Sequence, residues 1–285
     1  MIRLLPNERA GVLDFIYTIS GIALDSSKEY LVESRLSALM DEIRCASFSE
    51  LVRRAQSESG GVLKRRIIDG ITTNETLFFR DSSPFDLLRH KILPDLIDHR
   101  AGRGVKTPLR IWSAACSTGQ EPYSVAMVLK EVLGDLSRYD IRLLGTDISD
   151  QAIARASRAV YSQNEMERGL AASVRSKYFV PHANGWQVRD DIRAMASFRR
   201  LNLMENFAFL GRFDIVFCRN VAIYFNDKDR ASLFSRIERC LEPDGYLIIG
   251  STELLKDICP QFEPKQYLRS VFYQVKPGLN SRVAS

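Results

Sequence analysis

The stretch Leu109-Arg110-Ile111-Trp112-Ser113-Ala114-Ala115-Cys116-Ser117-Thr118-Gly119-Gln120-Glu121-Pro122 decides the fold. An apolar run over 109–114 gives way to small side chains and Gly119, then to a helical pattern over 121–133. A strand that feeds a helix through a tight turn is the repeating unit of an α/β sheet. Downstream, short apolar runs at 141–146, 213–218 and 246–250 repeat the theme, and 271–275 predicts a final strand. Helical stretches at 150–156 and 227–241 separate them, and Pro243-Asp244-Gly245 predicts a turn leading into a strand. This half therefore reads as a mostly parallel sheet with crossover helices.

Upstream the period changes. From Lys28 the apolar positions Leu31, Val32, Leu36, Leu39, Met40 and Ile43 follow the spacing of one helix face. Asp25, Ser26 and Ser27 ahead of it offer N-cap oxygens. Phe48, Leu51, Val52 and Ala55 mark a shorter helix that Gly60 and Gly61 end, and another runs from Val62 towards Ile71. Residues 1–82 thus read as a small helical domain and 83–108 as a linker. Pro84 opens the linker's helix, and the loop over 100–108 closes it. The sheet domain is expected over 109–285, with 277–285 frayed. Within it Asn184-Gly185, flanked by Trp186, Val188 and Ile192, signals a hairpin inside an insertion over about 177–201.

Composition narrows the function. The 285 residues are 45% hydrophobic and 26% charged, as in ordinary globular proteins. Forty basic residues against 35 acidic leave a net charge of +5, with no concentrated basic stripe, which argues against nucleic acid. The five cysteines lie far apart without a C-x-x-C pair, and the three histidines do not complete a metal set. An odd number of cysteines without a secretion signal reads as free thiols in the cytoplasm. The apolar stretch over 12–24 carries Asp14 and is too short to span a bilayer.

In an open α/β sheet, ligands sit beyond the carboxyl ends of the strands. The turn after the first strand is neither G-x-G-x-x-G nor a P-loop, because no Lys follows Gly119. Glu121 there reads either as a favourable helix N-terminal charge or as the partner of a cationic ligand. Asp147, in Gly145-Thr146-Asp147-Ile148-Ser149, can accept hydrogen bonds from a ribose diol, although helix capping is an alternative role. These features indicate a nucleoside-bearing cofactor without choosing between nicotinamide and sulfonium. Two later segments do choose. Residues 241–250 resemble the late turn and strand of class I methyltransferases. After the third strand, Arg219-Asn220-Val221-Ala222-Ile223-Tyr224-Phe225 delivers a guanidinium, an amide and a phenol to the crevice.

Five segments in this order resemble the chemotaxis receptor methyltransferase family, CheR. They are Thr72-Thr73-Asn74-Glu75-Thr76-Leu77-Phe78-Phe79-Arg80, the loop 113–123, Thr146-Asp147-Ile148, Asn202-Leu203, and Cys218-Arg219-Asn220-Val221 with Ile223-Tyr224-Phe225. The resemblance implies a Rossmann-like class I methyltransferase domain with a small antiparallel β insertion, behind an all-helical domain. It implies S-adenosyl-L-methionine as cofactor, S-adenosyl-L-homocysteine as product, and glutamates of methyl-accepting chemotaxis receptors' cytoplasmic domains as substrate. It places Asn74, Thr76, Arg80, Glu121, Asp147, Asn202, Leu203, Arg219 and Asn220 around the cofactor, with Arg80 and Tyr224 nearest the methyl-transfer centre. Taken alone, Thr72-Thr73-Asn74 reads as a turn or cap and Phe78-Phe79 as a core pair.

The chain also departs from the family pattern. The helix that the resemblance assigns to receptor docking keeps Arg35 and Arg44, but Asp41 and Glu42 dilute its charge. Lys64, Arg65 and Arg66 are candidates to compensate. The insertion is compact, which favours a member that does not depend on a receptor tether peptide. Two other functions stay open: a methyltransferase of another protein or small molecule, and a non-catalytic signalling module that holds the cofactor. A monomer without membrane insertion is expected.

Overall fold

The computed structural model describes residues 2–24, 28–101, 109–255 and 258–276. The expected cap at 25–27, most of the loop at 100–108 and the tail at 277–285 lie outside the described residues.

Four helices build the N-terminal part: α1 (Arg9–Ser20), α2 (Glu29–Glu42), α3 (Phe48–Ser57) and α4 (Val62–Ile71). Their apolar faces meet in one core that includes Phe15, Ile16, Val32, Leu36, Met40, Phe48 and Ile67. Ser47 caps α3 by accepting from the Glu50 N–H. At Gly70 an added Cβ would come within 2.9 Å of Leu36 Cδ2, so the missing side chain lets α2 and α4 pack closely.

The expected linker is structural. Pro84 sits in the first turn of α5 (Ser83–Leu87), a position that lacks an intrahelical acceptor in any helix. A π-helical turn (Leu88–Ile92) and α6 (Leu93–Ala101) follow. Phe85, Leu88, Ile92 and Leu93 are buried in the same core as Ile111, Val125 and Ile215, so this segment forms a layer over the sheet.

The main sheet contains β1 (Leu109–Ala114) and β2 (Ile141–Asp147), joined through α7 (Gln120–Leu133). Next, α8 (Asp150–Arg158) leads to a small insertion of β3 (Val160–Tyr161), α9 (Gln163–Glu167), α10 (Ala172–Tyr178), β4 (Phe179–His182) and β5 (Gly185–Val188). The chain returns through α11 (Asp190–Arg193) to β6 (Ala196–Arg200) and β7 (Phe213–Cys218). It ends with α12 (Asp227–Arg239), β8 (Leu241–Ile249), β9 (Phe262–Tyr267) and β10 (Ser270–Val275). The strand order is β6-β2-β1-β7-β8-β10-β9. The first five run parallel, and β10 and β9 are antiparallel additions. Every residue of β7 is buried, as expected of a strand with both faces covered.

Two expectations need correction. The insertion lies earlier than 177–201, from Val160 at the start of β3 to Val188 at the end of β5: β3, β5 and β4 form a three-stranded antiparallel sheet, whereas β6 pairs in parallel with β2. The half-exposed, arginine-bearing edge strand β6 lacks the apolar run that marks a buried strand. Pro243-Asp244-Gly245 lies inside β8, where the register jumps from Phe213↔Leu241 to Ile215↔Tyr246 and the intervening residues leave the ladder.

Strand register builds the site. Ala114 pairs with Thr146 on one side and Cys218 on the other, and Cys218 pairs with Ile249. Four parallel strands therefore end level, and Ala115, Asp147, Arg219 and Gly250 emerge from one edge. The chain order reverses on either side of β1, which opens a crevice at that edge.

Candidate active site

A cavity of about 320 Å³ occupies this crevice, within the range of small-molecule pockets. Its lining includes all ten residues singled out from sequence: Asn74, Thr76, Arg80, Glu121, Asp147, Asn202, Leu203, Arg219, Asn220 and Tyr224.

The floor is the turn after β1. Ala115 and Ser117 adopt left-handed backbone (φ 57° and 51°), and Gly119 sits at φ 94°. A Cβ on Gly119 would lie 2.8 Å from that of Ala156, so no other residue fits without displacing α8. The coiled turn aims backbone at the Asp147 carboxylate: Oδ2 accepts from Ser117 N at 2.8 Å and Oδ1 from Ser149 N at 3.0 Å. Each oxygen keeps further lone-pair capacity. Burial pushes the Asp147 carboxyl up from its ordinary value, against the backbone donors of Ser149, Ser117 and Ile148.

A polar chain forms the opposite wall. Ser113 Oγ donates to Glu121 Oε1 at 2.7 Å, and Arg219 Nη1 donates to Glu121 Oε2 at 2.8 Å. Arg219 Nη2 donates to Asp81 Oδ2 at 2.9 Å and to the Arg80 carbonyl at 2.7 Å. The Arg219 side chain is 1% exposed and that of Glu121 13%. Glu121 thus serves first as a buried ion-pair partner, while remaining at the cavity surface. Beside this wall, the Arg80 guanidinium makes a long 3.4 Å hydrogen bond to the Glu75 carbonyl. Phe79 and Asp81, on either side of it, both have positive φ. Phe78 is fully buried against Tyr161 and Phe179, so that pair also fills its expected core role.

The sequence reading missed the third wall. Ser20, Ile22, Ala23, Leu24, Leu31, Arg35 and Thr73 close the cavity from the helical domain. Leu31 and Arg35 had read as parts of an amphipathic helix, and no local pattern distinguishes a cavity-facing side chain from a core one. Hydrogen bonds join this domain to three sheet-edge loops. Asn202 Nδ2 donates to the Ile19 carbonyl at 3.1 Å, Ala23 N to the Tyr224 carbonyl at 2.8 Å, and Ser149 Oγ to Asp69 Oδ1 at 2.6 Å. The Asn202 amide oxygen accepts from Met204 N at 2.9 Å, so both ends of that side chain are engaged.

Three of the five basic residues expected to dock a partner are also engaged. Arg35 donates to the Ile71 carbonyl and Thr73 Oγ1, Arg65 pairs with Asp150 at 3.4 Å, and Arg66 pairs with Glu42. Among the described residues no group of His, Cys, Asp and Glu is suited to hold a metal.

The comparisons with known proteins agree with this geometry. Residues 8–72 match the CheR methyltransferase all-alpha domain, and residues 74–269 match the CheR methyltransferase SAM-binding domain. Chemotaxis protein methyltransferase 1 of Pseudomonas aeruginosa is 41% identical over 267 residues, 92% of this chain and 95% of that protein. Chemotaxis protein methyltransferase Cher2 of Pseudomonas putida is 39% identical over the same shares. Chemotaxis protein methyltransferase 1 of Vibrio cholerae is 37% identical over 92% of this chain and 94% of its own. The chain therefore belongs to the CheR methyltransferase family, an all-alpha domain joined to a class I domain that takes S-adenosylmethionine.

Proposed function

We propose that the protein methylates glutamate side chains of chemoreceptor cytoplasmic domains, giving glutamate methyl esters and S-adenosylhomocysteine. The observation that carries this reading is the convergence of all ten family-implied residues on one cavity at the level strand ends. The donor set fits the cofactor. Asp147 has lone pairs free for a ribose diol, and Glu121 presents a carboxylate edge to an ammonium group. The positive-φ turn at Ala115 and Ser117 lets the backbone approach an adenosine closely.

When bound, the sulfonium supplies an activated methyl group. The protein needs no general base, because a glutamate side chain, with an ordinary pKa of about 4.3, is already an anion at neutral pH. What remains is positioning and dehydration. The Arg80 guanidinium, held loosely at the cavity wall, has the planar donors to orient an incoming carboxylate. Tyr224 contributes a phenol from the same rim, and its backbone is fixed by Ala23. Asn74, Thr76, Asn202, Leu203 and Asn220 shape the remaining cofactor surface. The helical wall over the cavity limits water.

In this reading residues 1–82 recognise the receptor, 83–108 connect the two parts, and 109–285 perform transfer. In this reading the protein acts as a cytoplasmic monomer. Among the described residues no helix is long and apolar enough to cross a membrane.

The test is transfer of labelled methyl from S-adenosylmethionine to receptor cytoplasmic fragments, followed by mild alkali. Release of the label as methanol supports carboxyl methylation. Label that survives alkali rules out a carboxyl ester as the product, and no label on any fragment removes the receptor as substrate.

A further inference from the structure

The paired ladder between β7 and β8 stops at Cys218 and Ile249. Just beyond it, two backbone N–H groups converge on one side-chain atom. Glu253 Oε2 accepts from Asn220 N at 2.8 Å and from Gly250 N at 2.7 Å. Glu253 is 5% exposed, and its other oxygen is buried without a hydrogen-bond partner. The surroundings are built for this contact. A methyl group on Gly250 would lie 2.5 Å from Glu253 Oε2 and 2.8 Å from Asn220 Nδ2, so only glycine leaves room. Asn220 itself is held at φ 56°, a left-handed conformation that asparagine tolerates better than most residues.

A buried, half-satisfied carboxylate carries a desolvation penalty, and an apolar residue of similar size would often stabilise the fold more. Its placement offers a reason for keeping it. Asn220 follows Arg219, whose guanidinium reaches Glu121, Asp81 and the Arg80 carbonyl, and both residues line the cavity. We propose that Glu253 is a positioning residue for cofactor binding. By clamping the ends of β7 and β8 it fixes the Asn220 backbone, and with it the direction in which Arg219 enters the cavity wall. Nothing in the cavity lining itself reveals this residue, which acts from behind. The inference rests on the reading of the cavity as the S-adenosylmethionine site.

The test compares wild type, Glu253→Ala, Glu253→Gln and Gly250→Ala by calorimetric titration with S-adenosylmethionine, with melting temperatures measured alongside. Loss of two charge-assisted hydrogen bonds at Asn220 and Gly250 is expected to raise Kd about tenfold or more in Glu253→Ala. Gly250→Ala, which displaces the same carboxylate, shows a rise of the same order. The Gln variant stays within about threefold, because its amide oxygen can still accept both N–H groups. In turnover assays KM for the cofactor rises in the Ala variants while kcat at saturation holds. A purely structural role would lower the melting temperature and leave Kd unchanged. Wild-type binding with unchanged Kd in Gly250→Ala and in folded Glu253→Ala overturns this inference alone. A Gln variant as weak as Ala overturns it as well. Wild-type protein that binds no cofactor overturns the reading of the cavity and the inference with it.

Discussion

Replacing Arg219 by Met tests the buried polar wall directly. The Arg219 side chain is 1% exposed, and its 2.8 Å partner Glu121 is 13% exposed. Removing the guanidinium leaves the Glu121 carboxylate with Ser113 as its remaining hydrogen-bond donor. Breaking a buried pair from one side costs about 3–5 kcal/mol. Glu121 keeps some solvent contact, so the expected loss is at the lower end, about 3 kcal/mol. Asp81 is 37% exposed and adds at most about 1 kcal/mol. Glu121→Gln costs less, about 1–2 kcal/mol, because Arg219 keeps Asp81 and the Arg80 carbonyl. In the double variant no buried charge is orphaned, the half-exposed Asp81 alone losing its partner, and the combined loss falls short of the sum by about 2 kcal/mol. Urea unfolding of the four proteins without cofactor, followed by circular dichroism, measures this coupling. Effects that add within about 0.5 kcal/mol would refute the claim that the two side chains form one buried pair. Cofactor affinity stays low in the double variant, since stability is recovered without the binding groups.

Three further outcomes are expected. Arg80→Ala lowers kcat about 100-fold while Kd for S-adenosylmethionine moves little, because the lost group orients the acceptor; equal losses in both would make Arg80 a cofactor clamp. Asp147→Asn weakens the cofactor about 10- to 100-fold in calorimetry, the value of charge-assisted hydrogen bonds. The raised Asp147 pKa means that protonation favours the unliganded fold, a contribution lost as pH rises through the raised value. The diol needs the ionised acceptor, so wild-type affinity falls as pH drops from neutrality towards that value, and the Asn variant lacks this dependence. Finally, all five cysteines are buried with thiol pKa values pushed up by burial, Cys259 to about 11. A disulfide reagent at mildly alkaline pH should therefore label the native protein slowly and all five thiols in urea; a fast native thiol would contradict the packing.

The catalytic half was legible because buried parallel strands write themselves as apolar runs. β1 and β7 begin and end where those runs do. The missed strands of the main sheet are both its edges. β9 carries Glu263, Pro264 and Lys265, residues that blunt an edge against further pairing and so hide its strand character. β6 has arginines at its end, and the expected insertion ran on through it to 201 for that reason. The ten cavity residues came from five ordered motifs, and strand register then gathers them. The domain contact was not legible. Whether Leu31 faces core or cavity, and whether Arg35 docks a partner or bonds Thr73, depends on the placement of one domain on another. Glu253 escaped notice for a similar reason, since its partner Asn220 lies 33 residues away.

The central claim is that this cavity makes methyl esters on glutamate. Tandem mass spectrometry of a receptor cytoplasmic fragment, incubated with the protein and S-adenosylmethionine, tests it most directly. The account predicts a one-methylene mass gain on specific glutamates, lost on mild alkali, abolished by Glu→Gln at those sites and sharply reduced with the Arg80→Ala enzyme. A gain on lysine, arginine or the chain terminus, or one that survives in Arg80→Ala at the wild-type rate, would contradict it.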